Sequence, residues 1–202
     1  PLFDGKTLEG WSAPDMRYWS VRDGAITAES SEKLPCKRNQ FLVWQLGELD
    51  DFILRLKFRI AGKPSANSGI QFRTQLADDG HAIGYQADID RAGTYLGLLY
   101  DEHGRGILAK RGERTVIGPD GDRQTTPLKV KQAKVDLAGW NDYEIIACGP
   151  HITLKINGVT SAEVIDEEKS QQDLSGKLAL QIHSGPAMKI QFKDIELKRL
   201  QL

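Results

Sequence analysis

The sequence predicts an all-β fold of the antiparallel sandwich or barrel class. Three observations predict it. Apolar residues recur with period two in many short runs, hairpin turn pairs separate several of those runs, and helical periodicity is weak. A chain of 202 residues can bury a substantial core as one domain, read here as residues 1–202.

The elements follow in chain order. Trp19-Ser20-Val21 and Ala25-Ile26-Thr27 flank Asp23-Gly24, a hairpin pattern. Phe52, Leu54, Leu56, Phe58 and Ile60 alternate with Ile53, Arg55, Lys57 and Arg59, as in a half-buried antiparallel strand. Residues 118–139 carry little periodicity and read as a long surface excursion. Tyr143, Ile145 and Ala147 mark a further strand. Ile152, Leu154 and Ile156 lead into Asn157-Gly158, the strongest short hairpin signal, and Val159 starts the return. The polar segment from Asp166 to Asp173 holds at most a short helix or turn. Leu178, Leu180 and Ile182 make one strand, and Met188, Ile190 and Phe192 another. The apolar phase then shifts to Ile195 and Leu197, which predicts a bulge or bend at Lys193-Asp194. Leu2-Phe3 is expected to pair with the strand from Phe192 to Leu197.

Bulk properties narrow the function. A formal net charge of −1 argues against a nucleic-acid partner bound through its phosphates. No apolar run reaches the length that spans a bilayer. Cys36 and Cys148 are the two cysteines, free or joined. Without a C-x-x-C motif, thiolate-clustered zinc is disfavoured. Walker and Rossmann phosphate loops are absent, and Ser68-Gly69 lacks the context of a nucleophile elbow.

Three separated stretches carry an unusual polar set. Gln71 and Arg73 flank Phe72; Gln86, Asp88 and Asp90 enclose Ala87 and Ile89; Gln181 and His183 enclose Ile182. Period two puts each set on one sheet face and sends Ile70, Phe72, Ala87, Ile89, Leu180 and Ile182 into the core. A merely solvated face is the plain alternative, because antiparallel sheets usually keep one wet side. Amides, carboxylates, a guanidinium and an imidazole are instead the groups that bind and transform polar ligands. The loop around Asp101, Glu102, His103 and Arg105 adds titratable groups, and Tyr95 and Tyr100 offer flat faces to a sugar ring. Asp88, Asp90, Glu102 and His183 together form an oxygen-and-nitrogen set that could hold a divalent metal ion, although no H-x-H or H-E-x-x-H cluster supports it.

The chain resembles the 3-keto-disaccharide hydrolase domain family. The resemblance rests on Leu2-Phe3-Asp4-Gly5 through Gly10-Trp11, Asn67-Ser68-Gly69-Ile70-Gln71-Phe72-Arg73 and Gly84-Tyr85-Gln86-Ala87-Asp88-Ile89. It continues in Trp140-Asn141-Asp142-Tyr143, Ile156-Asn157-Gly158, Gly176-Lys177-Leu178 through His183, and Phe192-Lys193-Asp194-Ile195. It implies a concanavalin A-like jelly-roll sandwich of two antiparallel sheets with a concave ligand-binding face. It further implies bacterial export to the periplasm or medium and action on oxidised sugars. The chain begins at Pro1 in a structured motif, as expected of a mature form whose signal peptide has been removed. Many members carry Glu at the position of Gln86 and Gln at that of Asp88, so a glutamate at position 86 is not available here.

A 3-keto group acidifies the sugar C2 proton. Its removal gives an enolate that expels the C1 oxygen, and water then adds to the enone. Asp88 or His183 is the expected base, Arg73 the oxyanion partner and Glu102 the acid. Gln71, Gln86, Asp90, Tyr95, Tyr100 and Gln181 are expected to contact the substrate. The ordinary two-carboxylate scheme with Asp88 and Asp90 suits residues on one strand face poorly. A non-catalytic carbohydrate-binding module on the same sandwich is the alternative.

Overall fold

A computed structural model describes residues 1–201. It contains sixteen strands in two sheets. The first group comprises β1 (Trp11–Ser12), β2 (Trp19–Arg22), β3 (Ala25–Glu29), β4 (Gln40–Trp44), β5 (Phe52–Gly62) and β6 (Asn67–Leu76). Then come β7 (Ala82–Asp90), β8 (Leu99–Glu102), β9 (Gly106–Ala109), β10 (Glu113–Ile117) and β11 (Arg123–Pro127). The chain closes with β12 (Asn141–Cys148), β13 (His151–Ile156), β14 (Val159–Asp166), β15 (Lys177–Ile182) and β16 (Met188–Arg199). A seven-stranded sheet has the order β1-β4-β15-β6-β7-β8-β9, and a nine-stranded sheet the order β11-β10-β14-β13-β12-β5-β16-β3-β2. Pairing is antiparallel except between β10 and β14. The chain crosses from one sheet to the other between β9 and β10.

Period-two patterning decides which residues lie between the sheets. Ile70, Phe72, Ala87, Ile89, Leu180 and Ile182 all join the main core cluster, as do Phe52, Leu54, Phe58, Tyr143 and Phe192 from the other sheet. Phe52 and Phe72 meet edge to face across the sandwich at 5.9 Å. Burying one such ring contributes roughly 1.5–3 kcal/mol, and truncating it to alanine costs about 3–5 kcal/mol. Turn chemistry sets the hairpins. Asn157 (φ 49°) and Gly158 (φ 78°) both take the left-handed region that the tight turn from β13 to β14 requires. Asp23 and Gly24 do the same between β2 and β3.

The expected bulge lies in β16, where the register with β5 shifts between Lys193 and Glu196 and Asp194 has φ 51°. The Leu2 amide donates to the Ile195 carbonyl, as the pairing of the first residues with β16 requires. The surface excursion at 118–139 holds more structure than its pattern suggests. Strand β11 forms there, wholly exposed at the edge of the nine-stranded sheet. With no face to bury, it shows no apolar alternation. The Asp166–Asp173 segment holds turns among the described residues, and Cys36 and Cys148 are both free thiols.

A charged tie joins the two sheets behind the seven-stranded one. The Tyr85 hydroxyl donates to Asp166 Oδ2 and accepts from the Asp173 amide. Arg105 donates to Asp101, Asp166 and Glu168 at 2.6–3.0 Å. This network fixes the β8–β9 hairpin against the end of β14. It also orients β8 so that the alternate residues Tyr100 and Glu102 point the other way, out of the sandwich.

Candidate functional site

The site grows from register. Pairing of β6 with β7 sets Asn67 opposite Asp90, Gly69 opposite Asp88 and Gln71 opposite Gln86. Pairing of β7 with β8 adds Tyr100 beside Gln86 and Glu102 beside Gly84. Pairing of β15 with β6 places Gln181 beside Gly69. Because side chains alternate, these residues share the outer face of the seven-stranded sheet.

A cavity of about 410 Å³ opens on that face. Gln86, Asp88 and Asp90 of β7, Tyr100 and Glu102 of β8, and His183 just beyond β15 all line it. Tyr95, the most exposed of these aromatics at 42 %, stands on the loop that follows β7. Asp90 fixes that loop by accepting the amides of Thr94 and Tyr95 at 3.0 Å each. Its carboxylate is therefore committed to shaping the wall.

Histidine 183 is held in one tautomer. Its Nδ1 lies 2.7 Å from the Ser184 carbonyl oxygen. A carbonyl can only accept, so Nδ1 carries a hydrogen, and in the neutral ring the lone pair lies on Nε2. Asp88 is nearly fully buried. Burial pushes its carboxyl well above the usual carboxylate range, and the charges of Glu102 and Asp90 add to that, while a hydrogen bond from Gln86 opposes it. The cavity thus brings an imidazole ring together with a carboxyl whose burial favours its protonated form. Burial, with Glu102 and Asp88 nearby, also raises the Tyr100 phenol, so it is a hydrogen-bond donor at neutral pH.

Arg73 is not on this face. A bulge lies between Phe72 and Gln75 of β6, and Arg73 sits in it with φ 50°. Two residues, Arg73 and Thr74, therefore oppose Gly84 alone, and the period-two phase is broken. The Arg73 guanidinium is buried at the sandwich end. Nε donates to the Asp50 carbonyl (2.7 Å), Nη1 to those of Gly149 (2.7 Å) and Asp173 (3.3 Å), and Nη2 to Asp51 Oδ1 (2.9 Å). The expected oxyanion partner is thus a structural staple, buried at the sandwich end and not part of the cavity lining.

Gln71 and Gln181 share the polar face but lie beneath the cavity surface, both fully buried. Gln181 has no hydrogen-bond partner at either amide atom. The β6–β7 turn folds back over this end of the sheet, where Arg38 Nη2 donates to the Asp79 carbonyl. Phe41, Val43, Ala82 and Ala179 form a small apolar cluster there. The divalent-cation expectation is not met by the geometry. Asp88, Asp90, Glu102 and His183 line one cavity, but no group of three or more His, Cys, Asp or Glu among the described residues converges on a common centre.

Two contributors were missed by the sequence reading. Thr74 occupies the position on the polar face that regular alternation assigns to Arg73, and its hydroxyl donates to Gln71 Oε1 at 2.7 Å. Gly69 provides the bare floor over which Gln86 lies; a Cβ there would fall 2.5 Å from Gln86 Cδ. A glycine inside a strand on the polar phase was the available signal for such a close approach.

The family model of the 3-keto-alpha-glucoside-1,2-lyase-like domain matches residues 1–198. No curated protein matches the chain significantly. Solved structures share the fold. A Parabacteroides distasonis protein, provisionally named a glycosyl hydrolase, is 20% identical over 99% of this chain and 93% of its own, with a TM-score of 0.66. The carbohydrate-binding module CBM66 of Bacillus subtilis is 14% identical over 94% of this chain and 95% of its own, with a TM-score of 0.62. A Bacillus subtilis protein of unknown function and galectin-like fold is 12% identical over 95% of this chain and 90% of its own, with a TM-score of 0.64. The fold is therefore the jelly-roll sandwich that these proteins share, and a model spanning residues 1–198 shows that the chain belongs to the 3-keto-alpha-glucoside-1,2-lyase-like domain family.

Proposed function

We propose that the cavity binds a 3-keto-glycoside and cleaves it by elimination followed by hydration. The observation that carries this reading is one cavity lined by both His183, whose Nδ1 is engaged by the Ser184 carbonyl, and the nearly fully buried Asp88, whose carboxyl is pushed upward by that burial. Family membership and the carbohydrate-related neighbours support it.

His183 Nε2 takes the C2 proton, and the electrons of that bond form the enolate with the C3 carbonyl. The Asp88 proton, held toward the ligand, hydrogen-bonds the enolate oxygen in place of the guanidinium that Arg73 does not supply. A neutral carboxylic acid in an apolar site is an effective donor of this kind. As the enolate collapses, C1=C2 forms, the C1–O bond breaks, and the leaving oxygen takes the proton from the His183 imidazolium. Water then adds at C1 of the enone while C2 regains a proton. Tyr95 and Tyr100 supply flat and polar contacts to the ring, and Glu102 orients water or leaving group.

Incubation with a 3-keto-glucoside in deuterated water tests the scheme. Release of the aglycone with deuterium at C2 of the 3-keto sugar is the expected result. Turnover of the parent glucoside but not the keto sugar would overturn it, as would full activity in His183→Ala. The second reading, a non-catalytic carbohydrate-binding module, draws on the exposed Tyr95 at the cavity rim and on the likeness to CBM66. It predicts saturable sugar binding without turnover, and greater sensitivity to Tyr95→Ala than to His183→Ala.

A further inference from the structure

A row of side chains whose first three members the scheme above gives no role runs from beneath the cavity to Asp88 in its wall. Thr74 Oγ1 donates to Gln71 Oε1 (2.7 Å), Gln71 Nε2 donates to Gln86 Oε1 (2.8 Å), and Gln86 Nε2 donates to Asp88 Oδ1 (2.7 Å). All four residues are buried. An amide has one accepting and one donating end, so each bond in the row fixes the sense of the next.

The row exists because three local features coincide. Gln71 and Gln86 are direct cross-strand neighbours. Gly69 leaves room for Gln86 to lie flat toward Asp88. The bulge at Arg73 turns Thr74 onto the polar face within reach of Gln71. Asp88 Oδ1 is thereby occupied by an amide hydrogen, so the acidic proton belongs on Oδ2. We propose that Thr74, Gln71 and Gln86 are positioning residues that act as a one-way amide relay, holding Asp88 Oδ1 and aiming its proton, on Oδ2, at the ligand. The proposal rests on the reading of Asp88 as the acid of the cavity.

Thr74 sets the sense of the row, because its hydroxyl rotates. Its other acceptor is the Phe72 carbonyl, at the longer distance of 3.3 Å. If the hydroxyl turned there, its oxygen would accept from Gln71 and the whole row would reverse. Gln86 would then present Oε1 to Asp88, which would donate from Oδ1 and bury its proton in the row. The Gln86 N–H favours the ionised carboxyl, so its loss moves the Asp88 titration upward.

The test is a carbon-13 pH titration of the Asp88 carboxyl in the unliganded chain, assigned with Asp88→Asn, alongside the pH profile of kcat/KM on a 3-keto-glucoside. Thr74→Val is expected to raise the Asp88 midpoint by about half a pH unit or more and to lower kcat with little change in KM. Thr74→Ser is expected to restore both. Unchanged carboxyl signals from Asp101 and Asp166 will show that the fold is intact. A Thr74→Val midpoint within about 0.2 unit of the parent overturns the relay, whether or not the sugar is turned over. A shifted midpoint in a chain whose parent turns over no sugar supports the relay and overturns the functional reading.

Discussion

Replacing Arg73 with methionine is expected to destabilise the fold strongly while leaving every cavity-lining side chain in the sequence. The guanidinium is 1 % exposed and its partner Asp51 19 % exposed. Four donor contacts hold it, to the carbonyls of Asp50, Gly149 and Asp173 and to Asp51 Oδ1. Asp51 Oδ1 also accepts the Gly149 amide at 2.7 Å, so three loops converge on one ion pair. Burial lowers the Arg73 pKa more than the attraction of Asp51 restores it. Removing one partner of such a buried pair strands the other. Breaking such a pair costs about 3–5 kcal/mol, a large share of a typical domain stability of about 5–15 kcal/mol. For a chain of this size the melting temperature should fall by roughly 10 °C. Urea unfolding with linear extrapolation measures the loss. Arg73→Lys keeps the charge but not the fork, and should recover less than half of it. A loss below about 1 kcal/mol for Arg73→Met would refute the staple, because that is the range of a solvent-exposed ion pair.

Gly69→Ala should displace Gln86, since the new Cβ falls 2.6 Å from Gln86 Cγ. Sugar binding by calorimetry should weaken about tenfold or more, for a stability cost of about 1–3 kcal/mol; unchanged affinity would separate Gln86 from the site. Asp173 titrates at about 6, pushed up by burial first and then by the Asp101 charge. Its folded pKa lies above its unfolded value, so the neutral form is favoured in the fold. Its contribution is greatest below the unfolded pKa of 3.8 and is lost as pH rises toward about 6. Because the side chain is half-buried, Asp173→Asn should stabilise by only about 1–2 kcal/mol at neutral pH and by little near pH 4, read from unfolding curves across pH. A gain of equal size at both pH values would contradict that assignment. Tyr85→Phe removes the hydroxyl between Asp166 and the Asp173 amide and should cost about 1–3 kcal/mol, with Asp166 left short of one donor. A neutral outcome in thermal melts would show that the tie is replaceable.

Much of the architecture was legible because period-two patterning reports burial directly. Phe52 to Ile60 alternate as read, and the six apolar partners of the polar stripe all reach the core. Asn157-Gly158 and Asp23-Gly24 were legible because few dipeptides satisfy two left-handed residues. Register explains why three distant stretches meet, and no local rule supplies it: Gln181 reaches the β6 and β7 residues only because β15 inserts beside β6. Arg73 was misplaced for a related reason. A bulge costs one residue of phase, and Phe72-Arg73-Thr74 contains no glycine or proline to announce it. The stabilising partners of Arg73 lie at 50–51, 149 and 173, beyond any window of local pattern. Strand β11 was invisible because an exposed edge strand has nothing to bury.

The position of β16 carries a kinetic consequence. This last strand lies in the interior of the nine-stranded sheet, between β5 and β3, and its bulge anchors the first residues through Leu2. On a ribosome, β3 and β5 emerge long before the strand that separates them. Until β16 arrives, each exposes an unpaired backbone edge and a row of core side chains that includes Phe52, Phe58 and Ile26. The closing loops are long, so their entropy must be overcome before contacts reward it. The nine-stranded sheet is therefore completed only after β16 has emerged, and the interval before that is when β3 and β5 are most open to pairing with the wrong edge.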